Sequence, residues 1–409
     1  MKFNTTAMTS SSLEQFRALV MAQEALADSL SQAVDADRFV DLAMRSASAH
    51  GIALGAEAVR AEIRPDPLGL ARWAAAPVTG ALWPPKQWLP IQVTALNGPL
   101  YVDWAHFGTR PLTEPFFEDS IRRSLSRPFN RMFRYRMTLG DFLDDFLDHA
   151  AGQQSLAPSG FIFHMSRCGS TLVAQMLAAL PQNIVISEAA PIDAVVQFSR
   201  AWPDLAADRH CQHLIAMLAA FGRRRSGSER NYFIKLDSWH TLALPLFRRA
   251  FPSVPWVFLY RDPVEVLVSQ MRQRGTQMVS EIVSPSLYGI DDADGMRSDE
   301  YCARVLNKIC SAVVENDGAG GGLLINYREL PDAIWTKILP HLGVACSERE
   351  RAAMRLAARQ DAKAPSFEFA NDSEAKQRDA TELIRTLAER HLGEVYRQLE
   401  ELRAGGKPR

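Results

Sequence analysis

Apolar residues recur at helical spacing over the first part of the chain. Leu13, Phe16 and Val20 fall on one helical face, and Ser11 and Glu14 have capping-box spacing at its start. Three further helices are predicted, one through Leu26 and Leu30, one from near Asp35 to Gly51 and one over residues 56–63. Residues 1–64 are therefore predicted to form a small all-helical domain.

The pattern changes over residues 65–157. Prolines up to Pro90 predict a linker, and the pieces 91–96 and 100–104 predict strands. A helix is predicted over 138–150. A basic run lies between these elements and predicts a solvated helix face, with the lining of an anion site as the alternative. Its members are Arg122, Arg123, Arg127, Arg131, Arg134 and Arg136.

From residue 158 onward, short apolar strands alternate with helices. The predicted strands are 161–163, 184–186, 232–234, 256–260 and 323–325. Continuous apolar strands of this kind belong to parallel sheets that are buried on both faces. Residues 158–409 are thus predicted to form an α/β domain with a central parallel sheet, and the tail from Ser373 to Leu402 to form two charged amphipathic helices.

Composition narrows the class of protein. The 409 residues carry a net charge of -1, with 47% hydrophobic and 23% charged residues. These values exclude a disordered chain and a nucleic-acid-coating polycation, so no nucleic-acid partner is expected. The 5 cysteines lack a Cys-x-x-Cys pair, which favours a reducing compartment. No apolar stretch is long enough for a signal peptide or a membrane span, so a cytoplasmic location without membrane association is expected.

The most informative stretch is a strand that runs into a small-residue turn and then a helix. The turn residues are Ser166, Arg167, Cys168, Gly169, Ser170 and Thr171. Backbone amides and a helix N-terminus in such a turn bind phosphate or sulfate, and Gly169 allows close approach. In the pattern of nucleotide-hydrolysing P-loops, Ser170 stands where the lysine belongs, and Arg167 supplies the positive charge instead. This difference disfavours binding of a magnesium triphosphate.

A second anion motif follows the predicted strand 256–260. Arg261 ends that strand, and Pro263 suits the first turn of the next helix. Ser269 lies about two helical turns further along. The Arg261 guanidinium and the Ser269 hydroxyl could therefore bind one small anion together.

The two motifs resemble those of sulfotransferases that use 3′-phosphoadenosine 5′-phosphosulfate. The turn around Gly169 is similar to the family's 5′-phosphosulfate loop, and Arg261 with Ser269 to its 3′-phosphate motif. The resemblance covers about residues 158–400 and implies a P-loop-type α/β/α sandwich. It also implies that donor as co-substrate, a hydroxyl or amine acceptor, and no metal. Members often bring a late basic loop over the 3′-phosphate. Lys363 lies in such a region without a specific motif.

Sulfuryl transfer requires a general base and fixed positive charge. Arg167 is the candidate for stabilising charge on the leaving phosphate. Three residues remain open as the base, in the order Glu188, Asp237 and His240. Glu188 follows a strand, where several family members place a catalytic Glu. Asp237 stands where the cytosolic enzymes have the His of Lys-Thr-His, and the resemblance implies that Lys235 contacts the sulfuryl group.

The N-terminal helices resemble leader-peptide-like domains related to nitrile hydratase. Residues 13–16, 39–43 and 57–60 carry this resemblance, which covers about an eighth of the chain. It implies a peptide or another specialised metabolite as acceptor; a small-molecule acceptor is equally compatible with the sequence. Two other functions stay open: an atypical P-loop kinase, and a non-catalytic nucleotide- or peptide-binding module. The sequence does not indicate the oligomeric state.

Overall fold

The structure is a computed structural model that describes residues 5–96, 98–148, 155–359 and 372–405. The chain divides into two compact units. Unit 1 comprises Met1–Ala157 with Ala189–Glu229, and unit 2 comprises Pro158–Glu188 with Arg230–Arg409. Each unit has its own sheet. Within the described ranges, no helix is both long and apolar enough to cross a membrane.

Helices and strands are numbered in chain order. The helices are α1 Thr5–Ala22, α2 Glu24–Ser31, α3 Ala36–Ala49, α4 Ala56–Glu62, α5 Phe117–Leu125, α6 Pro128–Phe133, α7 Leu139–Asp148, α8 Ser170–Ala178, α9 Ala190–Val196, α10 Phe198–Ala201, α11 Ala207–Phe221, α12 Leu244–Ala250, α13 Pro263–Arg272, α14 Ser298–Glu315, α15 Leu339–His341, α16 Glu348–Ala358, α17 Ser373–Asp379 and α18 Glu382–Gly405. The strands are β1 Val78–Thr79, β2 Trp88–Ala95, β3 Leu100–His106, β4 Tyr135–Thr138, β5 Gly160–His164, β6 Asn183–Ser187, β7 Asn231–Lys235, β8 Trp256–Tyr260 and β9 Gly322–Asn326. A 3₁₀ helix over Ser238–Ala243 and another over Tyr327–Glu329 border the site described below.

The four helices predicted at the start of unit 1 are confirmed as α1 to α4. The chain is already helical at Thr5, so Ser11 lies inside α1 and the predicted cap at Ser11 is wrong. Asp35 caps α3, because its side chain accepts a hydrogen bond of 3.0 Å from the Arg38 amide. The apolar face of each helix is buried, with Phe16 on α1 and Phe39 on α3, as helical spacing requires.

A four-stranded sheet completes unit 1, in the order β1-β4-β3-β2. The predicted strand pair is confirmed as β2 and β3, which pair antiparallel. The predicted helix over 138–150 is observed as α7, where the Thr138 hydroxyl accepts from the Asp141 amide at 3.0 Å. Residues 149–150 lie outside the described ranges.

The basic run does not form a solvated helix face, so that prediction is wrong. Its residues lie on α5, α6 and β4 or directly beside α6, and two of them are buried. Arg136 donates two hydrogen bonds, of 2.5 and 2.7 Å, to the buried carboxylate of Asp103 on β3. Arg134 donates to the backbone carbonyls of Ala71, Ala74 and Ala75. Partners far away in sequence, which periodicity does not reveal, bury these two guanidiniums.

Unit 2 contains the predicted parallel sheet, with strand order β6-β7-β5-β8-β9. Every residue of β5, β6 and β8 is buried. Successive side chains point to opposite faces, so helices must cover both sides of the sheet. This confirms the predicted three-layer α/β/α fold. The tail forms the predicted helix pair, α17 and α18.

The strands of this sheet are parallel, so their carboxyl ends meet at one edge, where open α/β folds bind ligands. In sheet order, the residues at this edge are Glu188, Lys235, His164, Arg261 and Tyr327.

Candidate active site

The turn between β5 and α8 has an unusual backbone. Ser166 and Arg167 have φ of 80° and 54°, and Gly169 has φ of 85°. The amides of Arg167 and Gly169 donate to no acceptor within the described ranges. Backbone N–H groups in such a turn form a concavity that binds anions, and the N-terminus of α8 adds partial positive charge. The turn therefore presents the amides of Arg167 and Gly169 beside the N-terminus of α8, an arrangement suited to an anion.

Side chains reinforce the turn. The Ser166 hydroxyl accepts hydrogen bonds from Gln270 at 3.1 Å and from Gln277 at 2.9 Å, which fix its position. The hydroxyls of Ser170 and Thr171 are in buried residues and have no hydrogen-bond partner in the part of the chain that is described. Hydroxyls in the first turn of a helix lie beside its free backbone amides, so these two are suited to an oxyanion in the concavity.

Arg167 and Cys168 differ in whether their side chains can act as charged groups. The Arg167 Nη2 donates to the carbonyl of Gln273 at 2.5 Å, and burial lowers the pKa of this guanidinium. The Cys168 thiol donates to the carbonyl of Leu259 at 3.0 Å, and burial raises its pKa to about 12. Cys168 is therefore a neutral wall residue, while Arg167 stays charged beside the turn.

Gly169 provides a direct test of the turn. A Cβ at this position would lie 2.8 Å from Leu330 Cδ1 and 2.9 Å from Tyr327 Cδ2, in addition to the positive φ. We expect Gly169→Ala to lower the free energy of unfolding by about 1–2 kcal/mol through φ alone, and by more through the clash. Its affinity for inorganic sulfate should fall. Urea titration and calorimetry measure the two effects.

Gly289→Ala is the matched control. Gly289 has φ of 62°, but nothing lies within 4 Å of its added Cβ. It should therefore show the cost of φ without a loss of sulfate affinity. Equal sulfate affinity in Gly169→Ala and the unmodified protein would contradict the role of the turn.

Glu188, Lys235 and His164 form a cluster at the ends of β6, β7 and β5. The Lys235 Nζ donates a short hydrogen bond to Glu188 Oε1, and the Lys235 side chain is fully buried. The Nε2 of His164 lies 3.4 Å from the same carboxylate oxygen. Glu188 has φ of 52°, a backbone state that costs about 1–3 kcal/mol and is found mainly at functional sites.

The charges in this cluster are set by their neighbours. Burial alone would raise the pKa of Glu188, but the charge of Lys235 and the hydrogen bonds from His164 and Lys235 outweigh it and hold that pKa well below its usual range. Burial lowers the pKa of His164, so its ring is neutral. Because His164 Nδ1 accepts from the Ser166 amide at 3.0 Å, Nε2 carries the proton and donates to the Leu236 carbonyl at 2.9 Å. His164 thus links the turn to Glu188.

The other two candidate bases are engaged in local structure. Asp237 caps the 3₁₀ helix Ser238–Ala243 in a capping box with His240. The Asp237 amide donates to His240 Nδ1 at 3.3 Å. A capping pair of this kind stabilises the turn after β7.

Arg261 lies buried at the end of β8. Its guanidinium carbon is 3.9 Å from the centroid of the Tyr327 ring. Nε donates to Glu265 at 2.6 Å, and Nη2 donates to Asp372 at 2.7 Å and to the Ser373 hydroxyl at 3.1 Å. Burial opposes the charge, but the hydrogen bonds that the guanidinium donates to these two carboxylates raise the pKa of Arg261. The guanidinium therefore already binds two carboxylates, Glu265 through Nε and Asp372 through Nη2.

The two anion motifs converge at Tyr327. This ring lies next to Gly169 of the turn and also contacts the Arg261 guanidinium. Ser269 is half-buried on α13, the helix that Arg261 precedes. Lys363 lies outside the described residues. The turn and Arg261 thus belong to one site at the carboxyl edge of the sheet.

Sequence reasoning missed several members of this site. His164 is a polar residue at the end of an otherwise apolar strand, and that contrast could have singled it out. Tyr327 directly follows the last strand, at the edge where ligands bind. Gln277 and Asp372 carry no local signal, because their contacts with Ser166 and Arg261 depend on tertiary structure.

Comparison with known proteins identifies the family of one segment. Residues 158–305 match the Sulfotransferase family. The match covers a little over a third of the chain and includes both the turn and Arg261. It defines a sulfotransferase-family domain there and supports sulfotransferase activity in general. No curated protein matches the sequence.

Solved structures with some likeness are sulfotransferases. STF1 from Mycobacterium tuberculosis H37Rv is 14% identical with a TM-score of 0.37, over 65% of this chain and 83% of that one. A sulfotransferase from Alicyclobacillus acidocaldarius is 14% identical with a TM-score of 0.37, over 61% and 96%. The sulfotransferase domain of the Synechococcus PCC 7002 olefin synthase is 15% identical with a TM-score of 0.35, over 61% and 95%. Likeness of this degree says nothing about the donor or the acceptor.

Proposed function

We propose that unit 2 transfers a sulfuryl group from 3′-phosphoadenosine 5′-phosphosulfate to a hydroxyl or amine of a small-molecule or peptide acceptor. The observation that carries this proposal is the convergence of two anion-binding motifs on Tyr327. A nucleotide with phosphate groups at both its 3′ and 5′ positions needs two such motifs, whereas a nucleoside triphosphate needs only one continuous cradle.

The residues present fit the two ends of this donor. The turn amides with Ser170 and Thr171 would hold the 5′-phosphosulfate, and Arg261 with Ser269 would hold the 3′-phosphate. A 3′-phosphate that binds at Nη2 of Arg261 would replace Asp372, which accepts from that atom, while Glu265 accepts from Nε. Lys376 also pairs with Asp372, at 2.7 Å, so it would face the same incoming phosphate.

The chemistry follows from the charges around Glu188. A carboxylate whose pKa is held this low is a weak base as long as Lys235 stays bound to it. Lys235 Nζ can exchange Glu188 for the negative oxygens of the sulfuryl group, which would release Glu188 to accept the proton of the acceptor hydroxyl. Arg167 would stabilise the charge that develops on the leaving phosphate. His164 would keep Glu188 oriented.

Calorimetry on the full chain with adenosine 3′,5′-bisphosphate, followed by transfer from labelled donor to a panel of alcohols and amines, tests this function. We expect saturable bisphosphate binding without magnesium and label transfer to at least one acceptor. Absence of binding up to millimolar concentration would refute the assignment. Magnesium-dependent ATP turnover would indicate a kinase, and donor binding without transfer to any acceptor a non-catalytic module.

A further inference from the structure

Unit 1 contains a cavity of about 290 Å³ that shares no residue with the site at the sheet edge. The three arginines that line it lie on separate segments of the chain. Arg110 lies in the loop after β3, Arg123 on α5, and Arg127 directly before α6. A cavity with arginines brought together from distant positions is a built feature of the fold rather than a single charged helix face.

The positive charge in this cavity is only partly compensated. The lining carboxylate, Glu114, accepts from Arg123 at 2.6 Å and from the Ser120 hydroxyl at 2.7 Å. Burial raises the pKa of Glu114, but those two hydrogen bonds outweigh it and keep the net pKa lowered, so Glu114 offsets one guanidinium. Within the described ranges, the side chains of Arg110 and Arg127 form no hydrogen bond or ion pair. Three guanidiniums and one carboxylate line the cavity, which leaves an excess of two positive charges.

The back wall of the cavity is already saturated and contributes no further charge. Burial lowers the pKa of His106 to about 4, so the ring is neutral, and its Nε2 hydrogen-bonds Gln87 at 2.9 Å. The Asn130 amide is fixed by the backbone of His106 and by Ser124. These neutral groups and the three arginines line the cavity together.

The three guanidiniums are close enough to influence one another. The pKa of Arg110 is lowered, first by burial and then by the positive charges of Arg123 and Arg127. Like charges gathered in one place disfavour the folded state, and clefts lined by one sign of charge concentrate ligands of the opposite sign. Guanidinium forks match the oxygen geometry of phosphate and sulfate.

We propose that this cavity binds a dianionic oxyanion, the phosphate or sulfate group of a small ligand, between Arg110 and Arg127. The two uncompensated charges match the two charges of a phosphate group, and the volume exceeds that of the ion, so an esterified group fits as well. This site is independent of sulfuryl transfer in unit 2 and adds an anion-recognition function to unit 1.

Calorimetric titration of the full chain with inorganic phosphate at low ionic strength tests the site. The unmodified protein should bind phosphate at this cavity. In the Arg110→Gln/Arg127→Gln variant, the phosphate affinity of the cavity should fall at least roughly tenfold. Arg122→Gln is the matched control. Arg122 neighbours the site in sequence, lies outside the cavity and pairs with Asp119. It should leave phosphate binding unchanged.

Parallel titrations distinguish a phosphate ester from the free ion as the ligand. O-phosphoserine that binds as well as inorganic phosphate would indicate a site for phosphate esters, and binding of inorganic phosphate alone would indicate a site for the free ion. Phosphate binding at the turn near Gly169 survives in the double variant, so the two units report separately. The proposal is overturned if the double variant binds phosphate like the unmodified protein, or if Arg122→Gln weakens binding equally. Circular dichroism checks that each variant is folded, and Arg127→Lys should give an intermediate affinity.

Discussion

Lys235→Met should reduce turnover about 10²–10⁴-fold, the range typical of losing a group that assists proton transfer and charge stabilisation. Lys235 is fully buried, and Met preserves its apolar stem, so the fold should persist. Glu188 keeps its place because its amide donates to the Lys235 carbonyl at 2.8 Å, a bond that does not depend on the side chain. Turnover with labelled donor measures the loss.

The pH profile separates a catalytic role of this pair from a structural one. In the unmodified protein, the acid limb of kcat/KM, which reports the free enzyme, should lie below the usual range of a glutamate, because Lys235 and His164 hold the pKa of Glu188 low there. In Lys235→Met the burial effect remains while the lysine charge is gone, so the acid limb should move to higher pH. An acid limb that stays in place would show that Glu188 is not the titrating base.

Two variants complete this test. Glu188→Gln keeps a hydrogen-bonding oxygen for Lys235 but cannot accept the proton, so it should lose turnover to a similar extent, and the double variant should lose little more. Lys337→Met removes a half-exposed lysine that pairs with Glu329, and it should leave turnover unchanged. A loss in Lys337→Met would point to a general charge effect.

The sheet of unit 2 could be predicted because its strands are short apolar runs bounded by turns. Residues 161–163 and 256–260 were predicted as strands, and β5 and β8 extend over them with little change. The Gly169 turn and Arg261 follow the ends of these two strands. They therefore lie at the same edge of the sheet, since parallel strands share one carboxyl edge. This part of the site follows from local pattern and sheet geometry alone.

The rest of the site depends on partners that local pattern does not encode. Asp372 reaches Arg261 from 111 residues away, and Gln277 reaches Ser166 from another element also more than 100 residues away. Arg136 was predicted on a solvated helix face, yet it lies on β4 and is buried against Asp103. Such pairs form where packing excludes water, and the sequence near each residue carries no trace of the partner.

Arg261→Ala should weaken the binding of adenosine 3′,5′-bisphosphate by roughly 10- to 150-fold, the equivalent of a charge-assisted contact of about 1.5–3 kcal/mol. Affinity for adenosine 5′-monophosphate should change little, because that ligand lacks the 3′-phosphate. The ratio of the two affinities, measured by calorimetry, is therefore the readout. Equal loss for both nucleotides would indicate that Arg261 only supports the fold.

A substitution of Asp372 tests the same contact, because it should change bisphosphate affinity in the opposite direction to Arg261→Ala. Its carboxylate occupies Nη2 of Arg261 at 2.7 Å and must leave when a phosphate binds there. Asp372→Asn removes that competition and should tighten bisphosphate binding up to about fivefold, as expected for an ion pair whose carboxylate is half-exposed and which is worth at most about 1 kcal/mol. Arg272→Ala, at the far end of α13, removes an exposed arginine that pairs with Asp379 and should change neither affinity. If Asp372→Asn instead weakens bisphosphate binding, Asp372 holds Arg261 in place and does not compete with the phosphate.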